Sequence, residues 1–258
     1  MHINTQGLVL RETNYKDGDK ILTVLTSTEG KRTVKARGCR RKNSPLAASA
    51  QLLVYSEMSL FAYRDRWSMN EANTLEEFRG LRADMALLAL ASYCAETLDA
   101  VAREGEETSG LLPLILNTLY ALDKLHKPQP LVKAVYELKL LALSGYAPLL
   151  DACAVCGAPE PAAPALHLVE GVLHCAACGK ALGSPSLPLR DGALAAMRHV
   201  LYGDPKRLFS FRLGEAGMAQ MSRACEAFLR TQLERSFHTL DFYKGLLQPP
   251  IIPNQGES

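Results

Sequence analysis

Four cysteines, Cys153, Cys156, Cys175 and Cys178, form a C-x2-C-x18-C-x2-C pattern. Two such turns each present a pair of sulfurs from a tight loop, and together they complete the tetrahedral thiolate set that structural zinc prefers. Both turns run on into glycine, Gly157 and Gly179, the residue that accepts the positive φ a metal knuckle often needs. Two disulfides or a redox CxxC are the alternatives, and the paired spacing favours one structural zinc ion. Four thiolates fill its coordination sphere, so the metal holds the fold and performs no chemistry. His167 and His174 lie inside or beside this insert and read as packing or surface residues, because the cysteines already suffice.

The second chemically suggestive feature is charge. The 258-residue chain carries a formal net charge of only +2. Residues 1–45 hold ten Lys/Arg against four Asp/Glu, a net of +6, and the remainder is therefore −4. The excess is concentrated in Lys31, Arg32, Lys35, Arg37, Arg40, Arg41 and Lys42. Such asymmetry points to an anionic partner, of which nucleic acid is the usual one; a solvated loop is the plain alternative. No aromatic residue interrupts 29–45, so phosphate contact by counterion release outweighs base stacking there. Tyr15, Tyr55 and Tyr63 are the available stackers, with barrel-wall roles as the alternative. Asp17 and Asp19 flank Gly18, but the twelve-residue calcium-loop pattern does not follow, and a turn is expected.

Other chemistry lacks its signatures. The chain has no G-x-x-x-x-G-K-[ST] phosphate loop, no HExxH and no G-x-S-x-G. Its six histidines are dispersed, and no catalytic constellation assembles; a non-catalytic binding protein is expected. No apolar run reaches the eighteen residues of a membrane helix, and Met1 to Tyr15 lacks the pattern of a secretory signal. Cys39, Cys94 and Cys225 show no pairing logic, which fits a reducing, cytoplasmic setting.

The elements that must position these residues fall into two regimes. Up to about residue 80 the pattern is β: Ile3–Leu10, Ile21–Thr26, Lys31–Gly38, Gln51–Tyr63 and Ser68–Leu75, with a turn at Ser27–Gly30 and a basic loop over Gly38–Ser44. In the third strand Lys31, Thr33, Lys35 and Arg37 share one face, and Arg32, Val34 and Ala36 the other. Five short strands suit a Greek-key barrel such as the OB-fold. From Arg82 the period becomes helical, with helices expected over the Met85–Asp99 region, Leu111–Leu125, Leu131–Leu143, Asp191–Leu201 and Glu215–Ser236. Apolar positions cover most of the third helix, which is therefore expected to be buried. The stripe Met218, Met221, Cys225, Phe228, Leu229 and Leu233 reads as core. The expected order is an α+β multidomain chain: an OB-fold barrel at 1–80, a helical domain at 81–150 and 184–247, a four-Cys zinc module at 151–183 inserted within it, and a flexible tail at 248–258.

The segment GLVLRETNYKDGDKILTVLTSTEGKRTVKARGCRRKNS resembles the opening of the bacterial RecO family of recombination mediators. Gly7 and Val9, Tyr15, Asp17 and Asp19 before Lys20 and Ile21, Thr26 with Gly30, and Ala36-x-Gly38 leading to Arg40, Arg41 and Ser44 carry it. The helical middle and the cysteine insert resemble the zinc-bearing branch, so nearly the whole chain is covered. Asp17 departs from the family's usual Glu and keeps the charge. The resemblance implies a protein that binds single- and double-stranded DNA and anneals complementary strands. It further implies work with RecR, contact with the C-terminal tail of single-stranded DNA-binding protein, and help in RecA loading, without a nucleotide cofactor. The DNA surface is expected at Arg40, Arg41 and Lys42, extended by Lys31, Lys35, Arg37 and Arg32. Two other readings share the basic segment: a zinc-ribbon transcription or translation factor, and a scaffold whose helical domain is the active surface. Arg198, Lys206 and Arg207, near Leu201 and Tyr202, are candidates for a partner-tail groove.

Overall fold

The structure is a computed structural model that describes residues 1–64, 66–106, 110–182, 185–190 and 192–248. The apolar run at 7–10 and its counterpart at 21–25, broken only by Thr23, do not alternate, the pattern of strands buried on both faces. That is what they become. In β1 (His2–Tyr15) and β2 (Asp19–Thr26), Val9, Leu22 and Val24 point into a barrel core, whereas Leu8, Leu10 and Leu25 point outward into the core of the helical body. β3 (Lys31–Ala36), β4 (Tyr55–Tyr63) and β5 (Arg66–Glu76) complete a closed barrel in the order β1-β2-β3-β5-β4, with β3 and β5 parallel and every other pair antiparallel. This is the OB arrangement. Gly7 is a glycine because an added Cβ would stand 2.7 Å from Val24 Cγ1. Gly30 turns β2 into β3 at φ +69, and an added Cβ there would strike the Glu106 carbonyl.

The helical body begins at α1 (Met85–Val101), whose Asp84 cap accepts from the amides of Ala86 and Leu87 at 2.7 and 3.1 Å. α2 (Leu111–Asp123) and α3 (Gln129–Leu143) follow. The insert contributes β6 (Ala165–His167), β7 (Val172–His174), the short α4 (Ala176–Leu182) and β8 (Ser186–Pro188), with sheet order β7-β6-β8. The chain then returns to the body as α5 (Ala193–Tyr202), α6 (Glu215–Leu233) and α7 (His238–Leu247).

α3 is buried around its circumference, as its apolar pattern requires, and packs on α1, α2, α5 and α6. The Met and aromatic stripe of α6 is core: Met221, Cys225, Phe228 and Leu229 are buried, and Met218 and Leu233 pack against them. Three expectations need correction. The strand expected over Gln51–Tyr63 begins only at Tyr55, after a turn in which Leu53 takes φ 62. α6 ends at Leu233 and not Ser236, because Glu234 takes φ 48 and reverses the chain. A further helix, α7, follows it, unforeseen in the sequence reading. Of the tail expected to be flexible, residues 249–258 lie outside the described residues.

Burial of Leu131–Leu138 on all sides places two ionisable groups out of water. Lys133 is 3% exposed and Glu137 is 0%. The Lys133 ammonium lies 2.9 Å from Glu137 Oε1 and 2.8 Å from Glu226 Oε2 on α6. Tyr93 of α1 donates to Glu137 at 2.7 Å, and Lys244 of α7 holds the other Glu226 oxygen at 2.7 Å. Burial pushes the Glu137 carboxyl up and Lys133 opposes it. At Glu226 burial also acts upward, but the Lys133 and Lys244 ammonium groups outweigh it and hold the carboxyl below 4.5. A depressed carboxylate contributes stability above its unfolded value and loses it as pH falls through its folded value. Acid below about pH 4.5 should therefore weaken the α3–α6–α7 junction.

Lys133→Ala strands the Glu137 carboxylate in this core, leaving Glu226 to Lys244, and should cost about 3–5 kcal/mol in urea unfolding. Lys133→Met/Glu137→Gln keeps an acceptor for Tyr93 and leaves Glu226 to Lys244. It should recover more than half of that loss, and recovery of none would mean that packing, not charge, sets the cost.

Candidate nucleic-acid interface and metal centre

The barrel divides the seven cations identified in the sequence into two groups. Lys31 points to α1, donating to the Asp99 carbonyl at 2.6 Å and to its carboxylate at 3.0 Å. Arg32 lies on the opposite strand face, 4.8 Å from the Trp67 ring centroid and 3.6 Å from Glu29. Lys35 pairs with Asp19 at 2.8 Å and sits 4.9 Å from the Tyr15 ring. These three have protein partners. Arg37, Arg40, Arg41 and Lys42 are exposed. Among the described residues Arg37 and Lys42 have no carboxylate partner, and Arg40 reaches only the Lys16 carbonyl at 3.4 Å.

Beside the open group, the outer wall of β2 and β3 carries a hollow of about 490 Å³ bordered by Tyr15, Thr33, Lys35, Arg37, Arg66 and Ser68. This is the face on which OB barrels take oligonucleotides: strands 2 and 3 with the β1–β2 and β4–β5 connections. Tyr15 is 42% exposed, enough to offer a ring edge and part of a face. Arg64 and Arg66, on either side of the β4–β5 connection, are exposed as well. Charge counting along 1–45 could not find them, because the parallel pairing of β3 with β5, Lys35 opposite Ser68, brings a distant segment alongside. The available signal was two arginines flanking a connection between strands.

The four cysteines converge as their spacing requires. Their Sγ atoms all lie within 4.8 Å of one another, with Cys175 4.0 Å from both Cys153 and Cys156. A disulfide would need about 2.05 Å, whereas a sulfur tetrahedron with metal bonds of about 2.3 Å has edges near 3.8 Å. The set therefore fits one metal ion. The first knuckle is closed by Gly157 N–H to the Cys153 carbonyl at 2.8 Å, with Gly157 at φ +74. The second opens α4, where the amides of Cys178 and Gly179 both reach the Cys175 carbonyl. Gly179 has no positive φ, contrary to the sequence expectation; it is small because an added Cβ would collide with the His174 ring.

Backbone amides, that of Cys156 foremost, hold the Cys153 thiol down to about 6, while the neighbouring Cys175 and Cys156 sulfurs push Cys178 up to about 12. Four thiolates at this spacing need a cation between them. His174 is buried, bonded at 3.1 Å to the Cys175 carbonyl and at 2.9 Å to Ser186. His167 takes the Glu170 amide at 3.1 Å. Both are framework residues, as expected. Arg198 clamps the first knuckle to α5, reaching the carbonyls of Leu150, Asp151 and Pro159 and the Glu160 carboxylate at 2.7–3.1 Å.

A five-stranded OB barrel with an open basic face, followed by a helical body interrupted by a four-thiol metal site, defines the class of architecture. Comparison with known proteins narrows it. Residues 1–78 match the family model "Recombination protein O N terminal" and residues 82–241 match "Recombination protein O C terminal". Proteins named DNA repair protein RecO are similar along nearly their whole length. That of Symbiobacterium thermophilum is 34% identical over 247 residues, 94% of this chain and 97% of the relative. That of Acetivibrio thermocellus is 30% identical over 245 residues, 95% and 97%. That of Desulforudis audaxviator is 31% identical over 244 residues, 94% and 96%. The chain belongs to the RecO family of DNA repair proteins.

Elemental analysis of the purified protein should find one metal ion per chain, falling well below stoichiometry in Cys153→Ser together with a lower melting temperature. Because Leu166 and Leu173 of the insert belong to the main core, the loss should be felt by the helical body. Full metal content in Cys153→Ser would refute the four-thiolate site.

Proposed function

We propose that this protein is a non-catalytic recombination mediator: it binds DNA strands by their phosphates, anneals complementary strands, and helps RecA loading where single-stranded DNA-binding protein covers the substrate. The observation that carries this reading is the open group Arg37, Arg40, Arg41 and Lys42 beside the barrel hollow, where Arg66 adds a further cation. Annealing requires neutralising repulsion between two backbones while leaving base edges free. Cations on a loop suit that better than an aromatic platform, and the two rings that border the hollow, Tyr15 and Trp67, are already covered by Lys35 and Arg32. Lys35 borders the same hollow, and Lys31 and Arg32 join only by exchanging Asp99 and Glu29 for phosphate.

The metal is zinc on this reading, since an all-thiolate tetrahedral set selects it and leaves no open coordination position. Partners follow from family membership: single- and double-stranded DNA, RecR, and the C-terminal tail of single-stranded DNA-binding protein, in the cytoplasm. A hollow of about 470 Å³ bordered by Tyr120, Leu125, Lys127, Lys206 and Phe209 has the apolar floor and cationic rim that an acidic, apolar-ended tail needs. Of the residues singled out for that role, Lys206 borders this hollow, while Arg198 is engaged at the metal knuckle.

The test is annealing of complementary oligonucleotides coated with single-stranded DNA-binding protein, without ATP, by the parent and by Arg40→Ala/Arg41→Ala/Lys42→Ala. The parent should anneal and the folded variant should not. For naked single strands, the log–log salt slope should be roughly −3 for about four phosphate contacts and should flatten by about 2 in the triple variant. Absence of annealing by a folded, metal-loaded parent would move the assignment to a zinc-ribbon factor or a scaffold.

A further inference from the structure

The Asp17-Gly18-Asp19 turn carries two carboxylates next to the most basic part of the molecule, where a charge count alone would call them harmful to anion binding. Asp17 is exposed, but Asp19 is only 17% exposed and works on the basic loop from three directions. One carboxylate oxygen accepts the Gly38 amide at 2.8 Å, at the point where β3 leaves the barrel wall and the loop begins. The other lies 2.8 Å from the Lys35 ammonium and turns that side chain over the Tyr15 ring. The third tie is electrostatic, to the Arg41 guanidinium.

The neighbouring backbone repeats the pattern. Arg40 N–H donates to the Gly18 carbonyl at 3.0 Å, and the Arg40 guanidinium reaches the Lys16 carbonyl. Gly18 is a glycine with the Arg41 side chain lying on it, 3.3 Å from where a Cβ would stand. Gly38 turns at φ +64, and its carbonyl accepts the Arg41 amide at 3.0 Å. The β1–β2 turn is thus a mould against which the loop 38–42 is set.

We propose that Asp19 is a positioning residue for nucleic-acid binding: it subtracts a charge from the anion-binding face yet raises affinity, by fixing where Arg40, Arg41 and Lys42 stand. This inference rests on the mediator reading of the same surface. The alternative is simple electrostatics, in which any removal of the carboxylate favours phosphate. The two make opposite predictions for a pair of variants with identical charge. Asp19→Asn keeps an oxygen for the Gly38 amide and frees Lys35. Asp19→Ala removes both the charge and the tie.

The experiment is fluorescence anisotropy of a labelled single-stranded oligonucleotide across a salt series, using the full-length parent, Asp19→Asn, Asp19→Ala and the Arg40/Arg41/Lys42 alanine variant. Asp19→Asn should bind at least as tightly as the parent. Asp19→Ala should bind more weakly than the parent and about tenfold more weakly than Asp19→Asn, on the order of one ordering hydrogen bond, with a shallower salt slope. A second readout needs no DNA: Cys39 is buried within the loop, so its alkylation, followed by peptide mass, should accelerate in Asp19→Ala and stay near the parent rate in Asp19→Asn. Equal affinity of Asp19→Ala and Asp19→Asn, with binding lost in the triple variant, would overturn the positioning role alone. A triple variant that binds like the parent would overturn the DNA reading of this loop and the role of Asp19 with it.

Discussion

The all-round burial of the Leu131–Leu138 stretch of α3 is the constraint on which the helical body rests. Two turns of helix enclosed on every side cannot leave their charges to solvent, so Lys133 and Glu137 must be satisfied by whatever packs over them. The groups that do so come from three different helices: Tyr93 on α1, Glu226 on α6 and, through Glu226, Lys244 on α7. Buried ion pairs are poor sources of net stability, because desolvation offsets most of the attraction. Their effect here is to penalise misplacement: a slip of α6 by one turn would take the Glu226 carboxylate away from the buried Lys133 ammonium. The cost of error is large even where the gain from correctness is small.

That asymmetry extends to the metal insert. α3 ends at Leu143, and six residues on Leu149 pairs with the insert, exchanging backbone hydrogen bonds with Gly171 and Leu173 at 2.7 and 3.0 Å. From the other side Arg198 of α5 binds three carbonyls of the first knuckle, and Gln232 of α6 donates to the Leu168 and Val169 carbonyls at 2.8 and 2.9 Å. The metal site is thus moored to the helices next to α3. Four thiols fix the interior of the insert, and the body fixes its orientation.

What could be read from the sequence was what depends on neighbours along the chain. The cysteine knuckles, the strand periods and the all-round apolar pattern of α3 are local, and each is present as expected. What could not be read depends on distant segments. Lys31 and Lys35 look equivalent at i and i+4 on one strand face, yet one meets Asp99 from α1 and the other Asp19 from the preceding strand. Gly179 looked like a turn residue and is small for the sake of a histidine ring. α7 is the exception: Phe237, Leu240 and Tyr243 recur at helical spacing and are buried, but Glu234 breaks α6 by its backbone conformation, which no composition reveals. Glutamate is an ordinary helix former, and only the packing of α7 back onto α1 requires it at φ 48.

The joint between barrel and helical body shows why charge composition overstates the open basic surface. Asp99, near the C-terminal end of α1, takes both Lys31 and Arg11. The segment after α1 bridges β3 through Lys31 and Glu104, and Gly30 meets Glu106 at a distance no other residue tolerates. Cations counted as one patch in the sequence therefore serve two ends of the same strand. Those near Gly30 hold the barrel to the helices, and those beyond Lys35 face outward. A sheet permits this division because successive residues alternate faces and successive pairs advance about 6.6 Å along the strand. Five residues of β3 are enough to carry the chain from an interdomain contact to an open wall. The barrel can thus leave one end open, with Arg37, Arg40, Arg41 and Lys42 exposed, while the other stays fixed to a rigid core, so that the basic face has a set orientation relative to the helical surface.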